Sequence, residues 1–254
     1  MGIFKIISDL KNQFLEKRRN LLDREAEKIL QKNDGLWKEL VSYREHSTST
    51  GCWYFDYVTL YNYIRRVRPK EVLECGTGVS TVVMAYAMME NGGGRITSME
   101  ENKDFYDVAC GALSQTSLKK YVDIVFSSTV EDSHSIFRGM RYKDIPDRPY
   151  TFVFVDGPYP RELFDFDFVH VVKNSKNNEQ ICGIIDMRHS TCYAMQEIFG
   201  PQKFRYDFVR DLGFIGPCSK NDVRSTRQIA GSPISRPFRI YRICKQEVKS
   251  FLKI

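Results

Sequence analysis

The sequence lacks the cysteine patterns of a disulfide-bonded or zinc-binding protein. Its seven cysteines stand singly along the chain, and no Cys-x-x-Cys pair occurs. An odd number of isolated cysteines fits neither a disulfide framework nor a structural zinc site. We therefore expect free thiols and a reducing compartment.

Long apolar runs are absent too. No stretch reaches the roughly 18 uninterrupted apolar residues of a membrane helix, and the opening residues lack the apolar block and cleavage site of a signal peptide. These absences predict a cytoplasmic protein. The 38 basic residues exceed the 32 acidic ones by only six. This mild excess permits anionic partners but does not imply a nucleic-acid-binding surface, which usually needs clustered lysine and arginine.

The N-terminal part of the chain has a helical pattern. Residues 3–45 contain few helix breakers apart from 33–35 and predict two helices. A Ser/Thr/Gly-rich loop and an aromatic-rich helix over 54–66 follow. We therefore treat 1–68 as a helical extension and 69–254 as the main domain. Apolar and basic residues in the first helix favour docking, including a homodimer contact, over contact with a membrane surface.

From residue 70 onward, strand and helix patterns alternate. Because parallel strands need crossover connections, this alternation predicts an α/β fold with a doubly wound, Rossmann-like, mostly parallel sheet of about seven strands. Two last strands without an intervening helix pattern predict an antiparallel pair at one edge, with a Gly/Pro/Ser-rich loop over 212–235 between them. The predicted strands are 71–75, 95–100, 121–127, 150–156, 181–186, 204–211 and 236–245, and the predicted helices are 80–90, 103–114, 131–139, 161–175 and 191–199.

The turn after the first of these strands, Glu74-Cys75-Gly76-Thr77-Gly78, is the most informative motif. In doubly wound sheets, ligands bind beyond the carboxyl ends of the strands, and glycines allow close approach of the backbone. A carboxylate at Glu74 would repel a pyrophosphate but attract an ammonium group. Thr81 stands where a dinucleotide-binding fingerprint has its third glycine, which disfavours a nicotinamide-dependent oxidoreductase. Glu100 ends the second strand, where it is well placed for two ribose hydroxyls.

These residues, together with the strand-end Asp156, resemble the class I S-adenosylmethionine-dependent methyltransferases over about residues 70–245. The resemblance implies S-adenosylmethionine as the cofactor. It places the methionine moiety at the first turn, the ribose at the second strand end and the adenine beside the loop after the third strand, where Ser127-Ser128-Thr129 departs from the family's Gly-Asp form. The implied cofactor-binding residues are Glu74, Gly76, Thr77, Gly78, Ser80, Thr81, Glu100, Glu101, Ser128 and Asp156.

Two strand-end aspartates are the candidate catalytic residues. Asp156 and Asp186 each follow an apolar strand and are expected in one crevice, where paired oxygens would suit Mg²⁺. This arrangement resembles metal-dependent O-methyltransferases, although Met187 replaces the Asn that those enzymes place beside the second aspartate. His189 is the preferred general base, with a helix-start residue of no catalytic role as an equal alternative.

The leading hypothesis is methyl transfer to an oxygen of a small-molecule or sugar acceptor. A nucleic-acid methyltransferase is an alternative, because Asp156-Gly157-Pro158-Tyr159 echoes the Asn/Asp-Pro-Pro-aromatic motif without matching it. A second alternative is a non-enzymatic binding protein that keeps the fold and uses its N-terminal helices for interaction. Trp53 and Tyr54 fit either a lid over the cofactor or, more readily, a helix face packed on the sheet. Fold analogy does not identify the acceptor.

Overall fold

The computed structural model describes residues 2–49, 51–161, 163–176 and 179–223, with side chains from residue 13 onward. Within these ranges the chain starts with three α-helices and continues with strands and helices, including a run of five successive strands between two of the helices. The helices are α1 (Gly2–Gln31), α2 (Asp34–Glu45), α3 (Tyr54–Val67), α4 (Val79–Glu90), α5 (Lys103–Ser114), α6 (Asp167–Asn174) and α7 (His189–Phe199). The strands are β1 (Glu71–Cys75), β2 (Arg95–Glu100), β3 (Val122–Phe126), β4 (Thr129–His134), β5 (Phe137–Tyr142), β6 (Phe152–Val155), β7 (Phe164–Asp165), β8 (Ile181–Asp186), β9 (Phe204–Asp207) and β10 (Leu212–Cys218).

The main sheet has seven strands in the order β3-β2-β1-β6-β8-β10-β9. The first five strands are parallel, whereas β10 runs antiparallel to both β8 and β9. This confirms the predicted doubly wound sheet with an antiparallel edge. The chain moves outward from β1 to β3 and then returns beside β1 as β6, so the strand order reverses between β1 and β6. In such sheets a crevice for ligands opens at this reversal.

Both faces of the sheet are buried. Successive residues of a strand point to opposite faces, and Val72 packs in the core beneath α2–α5 while Leu73 packs in the core beneath α6 and α7. Phe152 and Val153 divide between the same two cores. This explains why the central strands are almost continuously apolar, as expected for a parallel sheet covered by helices.

The predicted N-terminal helices are confirmed and are tied to the rest of the structure. The Asp23 carboxylate on α1 accepts hydrogen bonds from the N–H groups of Tyr54 (2.5 Å) and Phe55 (3.4 Å), so it caps the start of α3. Arg19 Nε donates to the carbonyl of Val209, 2.7 Å away beside the edge strands. The boundary at residue 68 stays a prediction.

No disulfide joins the cysteines of the described ranges, which are Cys52, Cys75, Cys110, Cys182, Cys192 and Cys218. Cys244 lies outside the described residues. Within the described ranges, no helix combines the length and the apolar character needed to cross a bilayer.

The helix predicted over 131–139 is wrong, because this stretch forms the β4–β5 hairpin. Its polar and apolar residues follow the two-residue period of a strand: Phe137 and Gly139 are buried and Arg138 between them is exposed. Ser135 supplies the turn with φ 56°. β5 also pairs with β7, so the third β-α repeat is replaced by a small three-stranded sheet.

Two other boundaries differ from prediction. The strand β10 occupies residues 212–218, which were predicted as the start of a long loop, and the predicted strand 236–245 lies outside the described residues. Gly213 is one reason why the sequence pattern did not indicate β10, because glycine is uncommon inside strands. A Cβ there would lie 2.6 Å from Cys192 Sγ, so this glycine allows α7 to pack closely on the strand. The helix predicted over 161–175 is also shorter, because β7 precedes α6.

We predict that Gly139→Ala destabilises the protein by about 1–3 kcal/mol, the usual cost of forcing atoms into a filled site. A Cβ at Gly139 would lie 1.9 Å from the carbonyl oxygen of Phe164, which is backbone and cannot swing away. The matched control is Gly111→Ala on α5, where nothing lies within 4 Å of the added carbon. That change should stabilise by up to about 1 kcal/mol through helix propensity. Urea unfolding measures both, and equal stability of the two variants would contradict the close β5–β7 approach.

Candidate functional site

A cavity of about 330 Å³ opens at the carboxyl edge of the sheet, where the strand order reverses. This volume is at the lower end of the range for small-molecule sites. The cavity is lined by the loop before α3, the turn after β1, the end of β2 and the segment after β6. The lining residues used below are Cys52, Gly76, Thr77, Gly78, Ser80, Glu100, Glu101, Asp156, Tyr159, Arg161 and Arg188.

The turn after β1 requires glycine at one position. Gly76 has φ +92°, and a Cβ there would lie 3.0 Å from the backbone nitrogen of Gly157. Conversely, a Cβ on Gly157 would lie 2.7 Å from the nitrogen of Gly76. The turns after β1 and β6 therefore touch through bare backbone. Gly78 is extended rather than left-handed, and its missing Cβ makes room for Ser49 Oγ at 3.1 Å.

Glu74 lies beneath this turn, fully buried. Its Oε1 accepts a hydrogen bond from Ser80 Oγ (2.6 Å), and its Oε2 accepts bonds from Thr81 Oγ1 (2.5 Å) and Ser98 Oγ (2.6 Å). Thr81 Oγ1 also accepts the N–H of Gly78 at 3.1 Å. Neither Glu74 nor Thr81 is among the cavity-lining residues. In this geometry Glu74 holds the start of α4, and the predicted direct contact between Glu74 and a cofactor is not supported.

The end of β2 supplies two acids to the cavity. Glu100 is 5% exposed, its Oε1 accepts the N–H of Asn102 at 3.0 Å, and burial raises its pKa. Glu101 accepts hydrogen bonds from Tyr142 Oη (2.5 Å) and from the N–H of Tyr159 (2.9 Å). Both acids line the cavity, at the position predicted for ribose. Ser128 is exposed and is not among the lining residues.

The structure brings Asp156 and Asp186 together, next to a thiol. Asp156 Oδ1 lies 3.2 Å from Arg161 Nη2, and Asp156 Oδ2 lies 3.6 Å from Cys52 Sγ. Asp186 is 2% exposed, and its Oδ1 has no hydrogen-bond partner among the described residues. Burial, followed by repulsion from Asp156, raises the pKa of Asp186 to about 8. One candidate ligand atom from each of Cys52, Asp156 and Asp186 lies within 4.8 Å of the others.

Cys52 and Asp56 are site residues that the sequence analysis missed. The N–H of Cys52 donates to Tyr57 Oη at 2.9 Å, and Asp56 Oδ2 accepts the N–H of Trp53 at 3.1 Å. Asp56 is buried, and its Oδ1 has no hydrogen-bond partner in the part of the chain that the structure describes. Burial, followed by the charge of Asp186, raises the pKa of Asp56. The sequence did contain a signal for these two residues: Cys52 follows the Ser/Thr/Gly-rich loop directly, and Asp56 is an acid in the first turn of an aromatic-rich helix.

The lid predicted from Trp53 and Tyr54 is not supported. Trp53 stacks on Phe55 with ring centroids 5.6 Å apart, Tyr54 Oη accepts a hydrogen bond from Arg44, and neither aromatic lines the cavity. They belong to the packed face of α3, which was the favoured alternative.

Arg188, which follows β8, is only 2% exposed and packs against the segment that follows β6. It donates through Nη1 to the carbonyl of Pro158 (2.7 Å) and through Nη2 to that of Asp156 (2.5 Å). Met187 before it has φ 48°, the left-handed conformation that asparagine tolerates better than methionine. The side chain of Met187 has no oxygen that could bind a metal ion together with the aspartates.

His189 is held away from the cavity. Its Nε2 lies 2.6 Å from Asp211 Oδ1. Asp211 also accepts a hydrogen bond from Tyr206 Oη and forms an ion pair with Arg19, whose Nη2 lies 3.3 Å from Asp211 Oδ2. Although burial acts to raise the pKa of Asp211, these partners, His189 first, lower it overall. His189 is not among the lining residues. Its position therefore supports an anchoring contact between α7, the edge strands and α1 rather than the predicted general base.

Comparison with known protein families gives one match. Residues 73–177 match the family model described as a methyltransferase domain, Methyltransf_24, which covers under half of the chain. The matched region contains the turn after β1, both acids at the end of β2 and Asp156. No curated protein sequence matches the chain.

Several solved structures are similar to this one. The O-methyltransferase TomG from Streptomyces achromogenes, involved in tomaymycin synthesis and solved with S-adenosylmethionine, is 20% identical with a TM-score of 0.42, covering 60% of this chain and 64% of its own. An O-methyltransferase from Bacillus cereus with S-adenosylhomocysteine is 18% identical with a TM-score of 0.41, covering 63% and 69%. The methyltransferase PaMTH1 from Podospora anserina, bound to S-adenosylhomocysteine, is 12% identical with a TM-score of 0.43, covering 87% and 80%.

The alignment therefore spans slightly less than two thirds of the TomG chain. With TM-scores below 0.5, these similarities carry no argument about the activity of this chain.

We predict that Glu74→Gln changes the pH dependence of stability. Burial raises the pKa of Glu74 from 4.5 to about 7. As the pH rises from 4.5 to about 7, Glu74 ionises in the unfolded chain but stays protonated in the folded protein. The unfolding free energy of the wild type therefore falls over this pH range. Between about pH 5 and pH 8, the unfolding free energy of the variant should rise relative to that of the wild type by about 2 kcal/mol.

Urea unfolding at the two pH values measures this difference, which isolates Glu74 because every other titrating group is shared. Parallel pH profiles would mean that Glu74 titrates normally in the folded protein.

Proposed function

We propose that this chain, whose residues 73–177 match the model of a methyltransferase domain family, is a class I S-adenosylmethionine-dependent methyltransferase that methylates an oxygen of a small-molecule or sugar acceptor. One observation carries the proposal. A single cavity has the Gly76 turn and Glu100 on one side and Asp156 on the other, with Asp186 behind it.

The cofactor-binding side follows from the turn and the second strand end. Backbone N–H groups at the start of α4 and the hydroxyls of Thr77 and Ser80 suit the methionine moiety, and the bare backbone of Gly76 and Gly78 allows it to approach closely. Glu100 is assigned to the ribose hydroxyls, for which a carboxylate is a strong acceptor. Glu101 is the second acid within reach. Glu74 and Thr81 act from below by fixing the turn.

The aspartate pair is assigned to the acceptor. In the reaction, the acceptor oxygen attacks the methyl carbon in line, the S–CH₃ bond breaks, an O–CH₃ bond forms, and the acceptor's proton must leave. Positioning supplies much of the rate. Asp186, whose pKa is about 8, suits a group that takes up a proton near neutral pH. Of the two other predicted catalytic residues, Asp156 adjoins Asp186, whereas His189 is bound to Asp211.

A divalent cation between these carboxylates is the alternative to proton uptake by Asp186. Asp186 Oδ1 is buried and has no partner among the described residues, and Asp156 lies beside it, so the two would hold a divalent ion, for which the sequence predicted Mg²⁺. A bound cation would lower the pKa of the acceptor hydroxyl. The cytoplasmic location, the homodimer through the N-terminal helices and contact with a membrane surface stay predictions.

Glu100→Gln should weaken binding of S-adenosylmethionine about 10–100-fold, the worth of a hydrogen bond to a charged group. The control is Asp107→Asn, an exposed acid on α5 that pairs with Lys103 outside the cavity. Calorimetric titration with S-adenosylmethionine, S-adenosylhomocysteine and NAD⁺ measures the effect. Unchanged affinity in Glu100→Gln would refute the ribose assignment, and tight NAD⁺ binding would overturn the cofactor.

Asp186→Asn should lower kcat about 10²–10⁴-fold, the usual contribution of a positioned proton acceptor, with little change in S-adenosylmethionine affinity. Asp147→Asn, an exposed acid after the β5 strand, serves as the control. The assay follows the labelled methyl group into a panel of hydroxylated aromatics and sugars, with and without Mg²⁺. Transfer to nucleic acid alone, or cofactor binding without any transfer, would contradict the proposal.

A further inference from the structure

The three candidate ligand atoms of Cys52, Asp156 and Asp186 come from separate parts of the chain. Cys52 precedes α3 in the N-terminal extension, while the aspartates follow β6 and end β8. We propose that these three side chains bind a thiolate-preferring transition-metal ion such as Zn²⁺, with the N-terminal extension supplying the sulfur ligand. The choice of site rests on the proposed function, but ion binding needs neither cofactor nor acceptor and is testable separately.

The spacing of the atoms suits a tetrahedral ion with one sulfur ligand. Zn–S and Zn–O bonds of about 2.3 and 2.1 Å place neighbouring sulfur and oxygen ligands roughly 3.6 Å apart in a tetrahedron. Cys52 Sγ lies 3.6 Å from Asp156 Oδ2. The third ligand atom, on Asp186, falls within 4.8 Å of both, so small side-chain rotations would complete the set. An octahedral Mg²⁺ would instead need neighbouring oxygens about 2.9 Å apart.

A second, independent observation points to a missing cation. Asp186 is 2% exposed and its Oδ1 has no partner among the described residues, and the same holds for Oδ1 of Asp56, which is 1% exposed. Native proteins leave few buried polar atoms unsatisfied, and buried carboxylates normally have a counter-charge or a metal. A divalent ion at Asp186 would supply this charge.

The nearby arginines form no hydrogen bond with this oxygen among the described residues. Arg161 binds Asp156 through Oδ1 (3.2 Å), and it is Oδ2 of Asp156 that lies near Cys52. Its side chain is 47% exposed. Arg188 donates its two terminal nitrogens to the backbone carbonyls of Pro158 and Asp156. Asp186 thus keeps an available oxygen beside the thiol.

The fold holds the thiol in place. The N–H of Cys52 donates to Tyr57 Oη, and Asp56 Oδ2 accepts the N–H of Trp53, so Cys52 and the residue after it are fixed to α3. α3 in turn is capped by Asp23 of α1. Such support of a ligand by its neighbours is typical of metal sites.

The ligand types predict which ion binds. Carboxylates alone suit Mg²⁺, whereas a thiolate selects softer ions such as Zn²⁺ and disfavours Mg²⁺. On binding, the S–H bond breaks, a sulfur–metal bond forms and the proton leaves to solvent. Three protein ligands leave a fourth tetrahedral position open, as in catalytic zinc sites. An acceptor oxygen or water would occupy it.

Cobalt titration of the full chain, after treatment with a chelator, tests the site without relying on activity. The wild type should show the near-ultraviolet thiolate-to-cobalt charge-transfer band together with the intense visible bands of a tetrahedral ion. Stoichiometric Zn²⁺ should displace the cobalt, whereas a large excess of Mg²⁺ should not. Cys52→Ser should lose the charge-transfer band. Asp186→Asn should weaken cobalt binding by more than about tenfold, because even the loss of a residue that only hydrogen-bonds to a metal ligand can have an effect of that size.

Cys110→Ser on α5, another partly buried free thiol, is the matched control and should keep the band. Circular dichroism and urea unfolding establish that each variant is folded. A band that survives in Cys52→Ser, a wild type without the band, or displacement of cobalt by Mg²⁺ would overturn the proposal. If the band is present but no acceptor is methylated, the metal site stands and the proposed function fails.

Discussion

The contact between the turns after β1 and β6 is the constraint on which the site depends. Gly76 and Gly157 bring two backbones so close that neither position has room for a Cβ. This contact lies where the strand order reverses, so it sets how the first turn, the acids after β2 and the aspartate after β6 face one another. A side chain at either glycine would separate the two halves of the cavity.

Buried carboxylates dominate the electrostatics around this contact. Glu74 is satisfied by three hydroxyls and serves the turn, whereas Asp56, Asp156 and Asp186 crowd together on the opposite side with fewer donors. Burial raises the pKa of each of these acids. The hydrogen bonds of Glu74 support the turn. The aspartates beside Cys52 include oxygens that have no partner among the described residues, an arrangement typical of sites that bind a proton or a cation.

The N-terminal helices are part of the site as well as an extension of it. Asp23 of α1 caps α3, and α3 positions Cys52 at the cavity. Arg19 connects α1 to the edge strands and to Asp211, the partner of His189. A histidine that sequence position favours as a base is thereby used to join α7 to distant elements.

Patterns in the amino-acid sequence were enough to predict the doubly wound sheet, most of its strands and helices, the glycine turn, and the strand-end positions of Glu100, Asp156 and Asp186. These follow from local periodicity and from the rule that strand ends share one edge of a sheet. The hairpin over 131–139 has a local two-residue period that the helix prediction overlooked, and Glu74 accepts hydrogen bonds from two hydroxyls six and seven residues further along the chain. The pairing of His189 with Asp211 and the approach of Cys52 to Asp156 join residues 22 and 104 positions apart. They became evident only in the folded chain, because local periodicity carries no information about such contacts.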